Sequence, residues 1–207
     1  MPTRTLIFVN LFIFMATACA ASQPLAPDVS QQILLEIWRM DRHIVWELNW
    51  PAAPISGPLT VETWQSGNRY RFEILESPAS ALMGETLVFD GQNAWRYNRF
   101  RPPAAFTPTT AVLSPLSDAF LLIDTRLGTT PQTATQESAQ VNFSPAKKIT
   151  ATYPNGDRLT LWQDAETGLP AKIEFLFGTQ KITLQARHAE YLLDPPNELF
   201  SVGNWVY

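Results

Sequence analysis

The chain of 207 residues has a single cysteine, Cys19, so no disulfide can form within one molecule. The stability of the fold must therefore come from a hydrophobic core, and 45% hydrophobic residues are enough to build one. A chain of this length suits one domain. We accordingly predict one domain with a single core.

Sequence signatures of catalysis and metal binding are also missing. The two histidines, His43 and His188, fall on separate predicted strands, where a surface or core position is expected rather than metal ligation. The chain contains no Gly-x-Ser-x-Gly, Walker loop or His-Glu-x-x-His sequence. Asp90, Asp157 and Asp164 stand in turn sequences, which explain them without catalysis. These absences predict a protein that is not an enzyme and has no cofactor or metal.

Charged residues are few, at 16%, and their balance is slightly acidic, with 15 Lys and Arg against 19 Asp and Glu. Proteins that bind nucleic acid carry a clustered excess of basic residues, so nucleic acid is not expected as a partner. Seventeen prolines and the low charge are typical of a loop-rich, extracytoplasmic β protein.

The longest apolar run, Leu6–Ala18, is too short to span a bilayer as a final anchor. It follows Arg4 and ends in small residues before Cys19, which is the order of an export signal. The sequence ATAC at 16–19 resembles a bacterial lipobox, with alanine where leucine is more usual. An acylated Cys19 would hold the protein on a membrane, and a plain signal peptide is the alternative.

These features predict three regions along the chain. Residues 1–18 are a lipoprotein signal peptide, residues 19–26 a tether, and residues 27–207 a single domain. The protein is then extracytoplasmic and membrane-anchored, in the periplasm or on the outer face of the cytoplasmic membrane.

Leu59–Asn98 has the clearest strand pattern in the chain. Tyr70, Phe72 and Ile74 alternate with charged residues, which places apolar side chains on one face of a strand and charged ones on the other. The scattered Lys and Arg are expected to form the solvated face. Turn sequences at 66–68 and 90–93 separate four antiparallel strands.

The same reasoning along the whole chain predicts one large curved sheet. The predicted strands are His43–Trp50, Leu59–Gln65, Arg69–Ile74, Glu85–Phe89, Ala94–Tyr97, Lys147–Tyr153, Arg158–Gln163, Ala171–Phe177 and Lys181–Glu190. Thr129–Val141 is expected to be a loop or a poor edge strand, and the tail from Leu193 is at best an edge strand because it contains two prolines.

Two amphipathic helices are predicted to cover the apolar face of this sheet. The first is Asp28–Met40, with Asp28 as its N-cap. The second is Pro115–Leu127, with Pro115 at its first position and Gly128 as a left-handed terminating residue. The fold class is therefore mainly β (α+β).

Several stretches resemble the LolA/LolB lipoprotein-carrier superfamily. FDGQNAWRYN (Phe89–Asn98) is similar to the family's strand–Asp-Gly–strand motif, and Trp64 followed by NRYRFEI matches the tryptophan and basic, aromatic strand that precede it. LWQDAETGLPAKIEF (Leu161–Phe175) and DPPNELFSV (Asp194–Val202) resemble the late strands and closing segment. The resemblance covers roughly Val29 to Val202.

The resemblance implies an unclosed antiparallel β-barrel, here of about 9–11 strands, whose concave apolar face is covered by two lid helices and accepts acyl chains. The implied ligand-binding residues are Tyr70, Phe72, Ile74, Leu87, Phe89, Trp95, Tyr97, Leu161, Ile173 and Phe175. The implied lid residues are Ile33, Ile37, Leu116, Phe120, Ile123 and Leu127. The alternative for the aromatic residues is a closed, fully packed core.

Family carriers fasten the lid with an arginine, usually in an Arg-Pro pair after the tryptophan, and Gln65–Asn68 lacks that pair. The expected function is binding of a lipid or an acylated lipoprotein by a monomer, with a role in lipid or lipoprotein transport. The alternatives are an RseB-like sensor acting on an anti-sigma factor and a structural surface lipoprotein. A protein partner is left open.

Overall fold

The computed structural model describes residues 22–51, 57–98 and 115–201, which form eleven strands, two α-helices and two short 3-10 helices. The strands are β1 Gln23–Leu25, β2 Arg42–Asn49, β3 Leu59–Ser66, β4 Arg69–Glu76, β5 Glu85–Phe89, β6 Ala94–Asn98, β7 Thr133–Val141, β8 Ser144–Thr152, β9 Arg158–Asp164, β10 Pro170–Phe177 and β11 Gln180–Tyr191. The α-helices are α1 Pro27–Arg39 and α2 Pro115–Leu127, and the 3-10 helices are Ser80–Leu82 and Asn197–Phe200.

All eleven strands belong to one antiparallel sheet in the order β1-β7-β8-β9-β10-β11-β2-β3-β4-β5-β6. The two ends of this order, β1 and β6, do not pair with each other, so the sheet is not closed. Pairing of β11 with β2 joins the late strands of the chain to the early ones. The predicted fold class, an unclosed and mainly β architecture with two helices, is confirmed.

Both α-helices pack against the same face of the sheet, which we call the helix-covered face. Leu34 and Ile37 of α1 and Ile123 of α2 are buried in one core with strand residues such as Trp46 and Phe175. Because side chains alternate along a strand, the intervening residues point to the other side, which we call the opposite face.

The predicted helix caps are wrong. α1 begins after Ala26, which makes no side-chain capping bond, and Pro27 rather than Asp28 occupies the start of the helix. Proline suits that position because its φ is already helical and its missing N–H would have no partner there. Gly128 is not left-handed: its N–H donates to the carbonyl of Asp124 and so continues the helical pattern.

Three segments differ from the sequence expectations. Gln23–Leu25 lies in the predicted tether but forms β1, so the sheet begins before residue 27. Thr133–Val141 is a nine-residue strand between β1 and β8, although its sequence is polar and irregular. In the tail, Asn197–Phe200 forms a 3-10 helix and not an edge strand. In the first two segments, pairing with neighbouring strands satisfies the backbone, which outweighs weak local propensity.

Candidate functional site

The candidate site is the helix-covered face, where the strand register collects apolar side chains from distant parts of the chain. Phe72 of β4 lies beside Leu87 of β5, and Ile74 lies beside Val61 of β3. In the other half of the strand order, but on the same helix-covered face, Ile173 lies between Leu161 and Leu184. Eight of the ten residues implied as ligand-binding share this face: Tyr70, Phe72, Ile74, Leu87, Phe89, Leu161, Ile173 and Phe175.

Both α-helices pack into the core that contains five of these side chains, namely Phe72, Ile74, Leu161, Ile173 and Phe175. The ring of Phe120 stacks on Phe72 with 4.4 Å between centroids and on Trp38 of α1 at 6.1 Å. Ile123, Leu127 and Ile37 are buried in the same core, and Ile33 is partly buried against it. The side chain of Leu116 lies outside the described residues. Among the described residues, side chains of both helices therefore cover this part of the apolar face.

Polar contacts between described residues tie α2 to the rest of the fold. Trp38 Nε1 donates to Asp124 Oδ1 at 3.2 Å, and Arg126 forms an ion pair with Asp157 at 2.7 Å. Gln31 Nε2 donates to the carbonyl of Gly128 just beyond the end of the helix. These contacts tie α2 to α1 and to the β8–β9 turn.

A buried arginine fastens α1, and sequence reasoning missed it. Arg42 Nη1 donates to the carbonyl of Ile37 at 2.7 Å, and its guanidinium lies over the ring of Trp38. Burial lowers the pKa of Arg42 to about 9, so the side chain is still charged at neutral pH. Arg42 of β2 lies beside Gln65 of the neighbouring strand β3. Gln65 is the first residue of the segment Gln65–Asn68, which lacks the Arg-Pro pair of LolA-like carriers. A cation at the C-terminal end of a helix complements the helix dipole.

Trp95 and Tyr97 correct the sequence expectation, because they do not share the helix-covered face. Trp95 lies beside Val88, and Val88 beside Arg71, while the Tyr97 hydroxyl is bonded to Arg71. Both aromatics therefore lie on the opposite face. Hydrophobicity alone does not separate the faces, since half-buried aromatic residues lie on both faces of strands β3 to β6.

The opposite face also holds a buried ion pair that had been expected in solvent. Arg71 Nη2 lies 2.9 Å from Glu73 Oε2, and both side chains are only 2–3% exposed. Arg71 Nη1 donates to the Tyr97 hydroxyl at 2.7 Å, and its guanidinium lies over the ring of Trp64. Burial raises the pKa of Tyr97, and the nearby guanidinium opposes that rise. The prediction of a solvated charged face is wrong at this position.

Three solved structures illustrate what the fold is similar to. An uncharacterized conserved protein from Thermus thermophilus superposes with a TM-score of 0.54 over 86% of this chain and 95% of its own, at 12% identity. MucB gives a TM-score of 0.51 over 86% of this chain at 16% identity, but only 63% of MucB is covered. NE2245 from Nitrosomonas europaea, a LolA superfamily protein, gives a TM-score of 0.41 at 13% identity, over 86% of this chain and 98% of its own.

At these identities a structural likeness defines the fold alone, and the protein has a LolA-like fold. No protein-family model and no curated protein matches the sequence. Among the described residues, neither helix has the length and apolar character needed to cross a membrane.

Proposed function

We propose that the protein binds the acyl chains of a lipid or an acylated lipoprotein on its helix-covered face and takes part in their transport. The observation that carries this proposal is the continuous apolar face spread over strands from both halves of the chain and covered by two helices of a LolA-like fold. Such a site needs no covalent chemistry. Removal of apolar surface from water supplies roughly 25 cal/mol per Å².

Opening of α2 is the step that makes room for the ligand. In the structure Phe120 and Ile123 fill the apolar face, so an acyl chain would replace one set of hydrocarbon contacts by another. Such an exchange requires little net free energy, whereas the bonds of Asp124 and Arg126 must be broken. Release and capture would then follow relative affinity for the carrier and for the membrane.

Uptake of a fluorescent fatty acyl probe tests this proposal. A variant lacking residues 1–19 keeps every described residue and is delipidated before the probe is added. We expect binding by the wild-type domain and faster uptake by Arg126→Gln, which removes the ion pair between α2 and Asp157. Lys148→Gln is the matched control because it removes an ion pair with Glu137, between β8 and β7, and should leave uptake unchanged.

Two results of this experiment would count against the proposal. A delipidated domain that never accepts the probe indicates a permanently filled core and a structural role. Equal acceleration in Arg126→Gln and Lys148→Gln indicates general loosening rather than opening of α2. If the probe binds but the protein captures a membrane regulator and transfers no lipid, the sensor function is favoured over transport.

We also propose that the protein is held outside the cytoplasm by acyl chains on Cys19. This cysteine is the only one in the chain, so labelling can be assigned without ambiguity. We expect cells given labelled palmitate to label the wild-type protein and to leave Cys19→Ala unlabelled. Equal labelling of both proteins, or none in the wild type, would contradict the anchor.

A further inference from the structure

Two histidines and two glutamates lie together on the opposite face, where β11, β2 and β3 are neighbours. Antiparallel pairing places His43 of β2 beside Glu190 of β11. The register shifts between Ala186 and His188, and this bulge places both His188 and Glu190 on the face opposite to that of Ala186. The two imidazole rings are 6.0 Å apart as a result.

His43 is held by a carboxylate at each ring nitrogen. Its Nδ1 lies 2.7 Å from Glu190 Oε1, and its Nε2 lies 2.7 Å from Glu62 Oε1. A neutral imidazole has only one N–H and carboxylates only accept, so both bonds together require a protonated ring. The two carboxylates therefore fix the orientation of the His43 ring.

We propose that His43, His188 and Glu190 bind one divalent transition-metal ion, with zinc as the ion to test. One ligand atom from each of the three residues lies within 4.8 Å of the others. Ligands of a tetrahedral zinc ion are about 3.3 Å apart, given metal–ligand distances near 2.0–2.1 Å. Two imidazole nitrogens and one carboxylate oxygen are a known zinc donor set, and water would complete the coordination.

Small side-chain rotations are enough to bring these atoms to a metal. His188 Nε2 already lies 3.6 Å from Glu190 Oε2, and these side chains are 58% and 53% exposed, so their rotation meets little packing. His43 is more firmly placed because its ring stacks on Trp64 at 5.1 Å. His43 would stay in place, and the side chains of His188 and Glu190 would rotate to bind the ion.

Glu62 acts as a positioning residue in this proposal. By accepting from Nε2–H of His43, it leaves Nδ1 to face Glu190 and the metal. Metal-binding histidines commonly donate their second ring N–H to a carboxylate, which fixes the tautomer and the ring orientation. On binding, the Nδ1 proton passes to solvent while the Nε2 proton stays with His43.

Zinc titration of the full chain tests the proposal independently of acyl binding, since the cluster lies on the other face of the sheet. Isothermal titration calorimetry with zinc chloride should give one ion per chain. The chain has only two histidines, so both imidazole rings can be followed by ¹H–¹⁵N NMR. We expect both rings to shift, with His43 metal-bound at Nδ1 and protonated at Nε2.

Three variants separate the roles of the residues. His188→Ala and Glu62→Gln should each weaken zinc binding by about tenfold or more. Glu62→Gln should in addition alter the Nε2 signal of His43, which a merely structural role would not do. Glu174→Gln is the control, since this carboxylate lies on the same face but forms ion pairs with Lys172 and Lys181. The affinity of this variant for zinc should equal that of the wild type.

The proposal is overturned if neither imidazole ring responds to zinc, or if His188→Ala binds zinc as tightly as the wild type. An equal loss of zinc affinity in Glu174→Gln and His188→Ala would also overturn the proposal, because it would indicate diffuse attraction of the ion to acidic residues. His188 is exposed, so its substitution should not affect folding.

Discussion

Replacing Phe120 by alanine is expected to lower the free energy of unfolding of the ligand-free domain by about 3 to 5 kcal/mol. The ring is almost fully buried, and it contacts Phe72 of the sheet and Trp38 of α1. Its loss leaves a cavity between both helices and the sheet. Urea denaturation, with the midpoint and slope fitted together, measures the change.

If an acyl chain binds beneath α2, ligand binding should also affect the stability of Phe120→Ala. A bound acyl chain should fill part of the space that the ring leaves, so a saturating fatty acyl probe should stabilise Phe120→Ala more than it stabilises the wild type. Phe143→Ala is the matched control because this phenylalanine is 96% exposed at the β7–β8 turn. A probe that stabilises Phe120→Ala no more than the control would argue against a site beneath α2.

Replacing Arg71 by methionine is the second large change, with an expected loss of about 3 to 5 kcal/mol in the free energy of unfolding. The substitution removes the guanidinium beside the buried Glu73 carboxylate and takes away the donor to the Tyr97 hydroxyl. The cost comes mainly from the loss of the ion pair that Arg71 forms with this buried carboxylate. Chemical denaturation at neutral pH measures it.

The double variant Arg71→Met/Glu73→Leu tests that reasoning. Replacing both charges by apolar residues of similar size should recover most of the stability, because neither charge then has to be desolvated. Arg187→Met is the control: this arginine pairs with Glu47 where both side chains are exposed, so no measurable loss is expected. A double variant as unstable as Arg71→Met would show that packing, and not charge burial, sets the cost.

The sequence was informative wherever local pattern decides structure. Glu85–Phe89 and Pro115–Leu127 match the predicted bounds, because strand alternation between turns and a helical apolar stripe are properties of neighbouring residues. β1 was missed because a three-residue strand with a proline has little local signal. β7 was uncertain because its polar residues acquire their role from the adjacent strands.

The site was harder to predict because it depends on which face each residue occupies. An alternating strand shows that Phe72 and Arg71 point to opposite sides, but not that both sides are buried. For that reason Arg71 was expected in solvent and Trp95 on the helix-covered face. His43 and His188 come together through the long-range pairing of β11 with β2 and through a bulge in β11. Neither feature can be predicted from a short stretch of sequence.

We infer that the helix-covered face accepts an acyl chain when α2 opens. Photo-crosslinking with a diazirine-bearing fatty acid, followed by mass spectrometry of the labelled peptides, tests it most directly. We expect the label on β4, β5 and β10, at Phe72 and Phe175 in the core beneath the helices and at Leu87 beside Phe72. Labelling confined to the opposite face would contradict acyl binding on the helix-covered face. The same holds if irradiation gives no more labelled peptide than a control without irradiation.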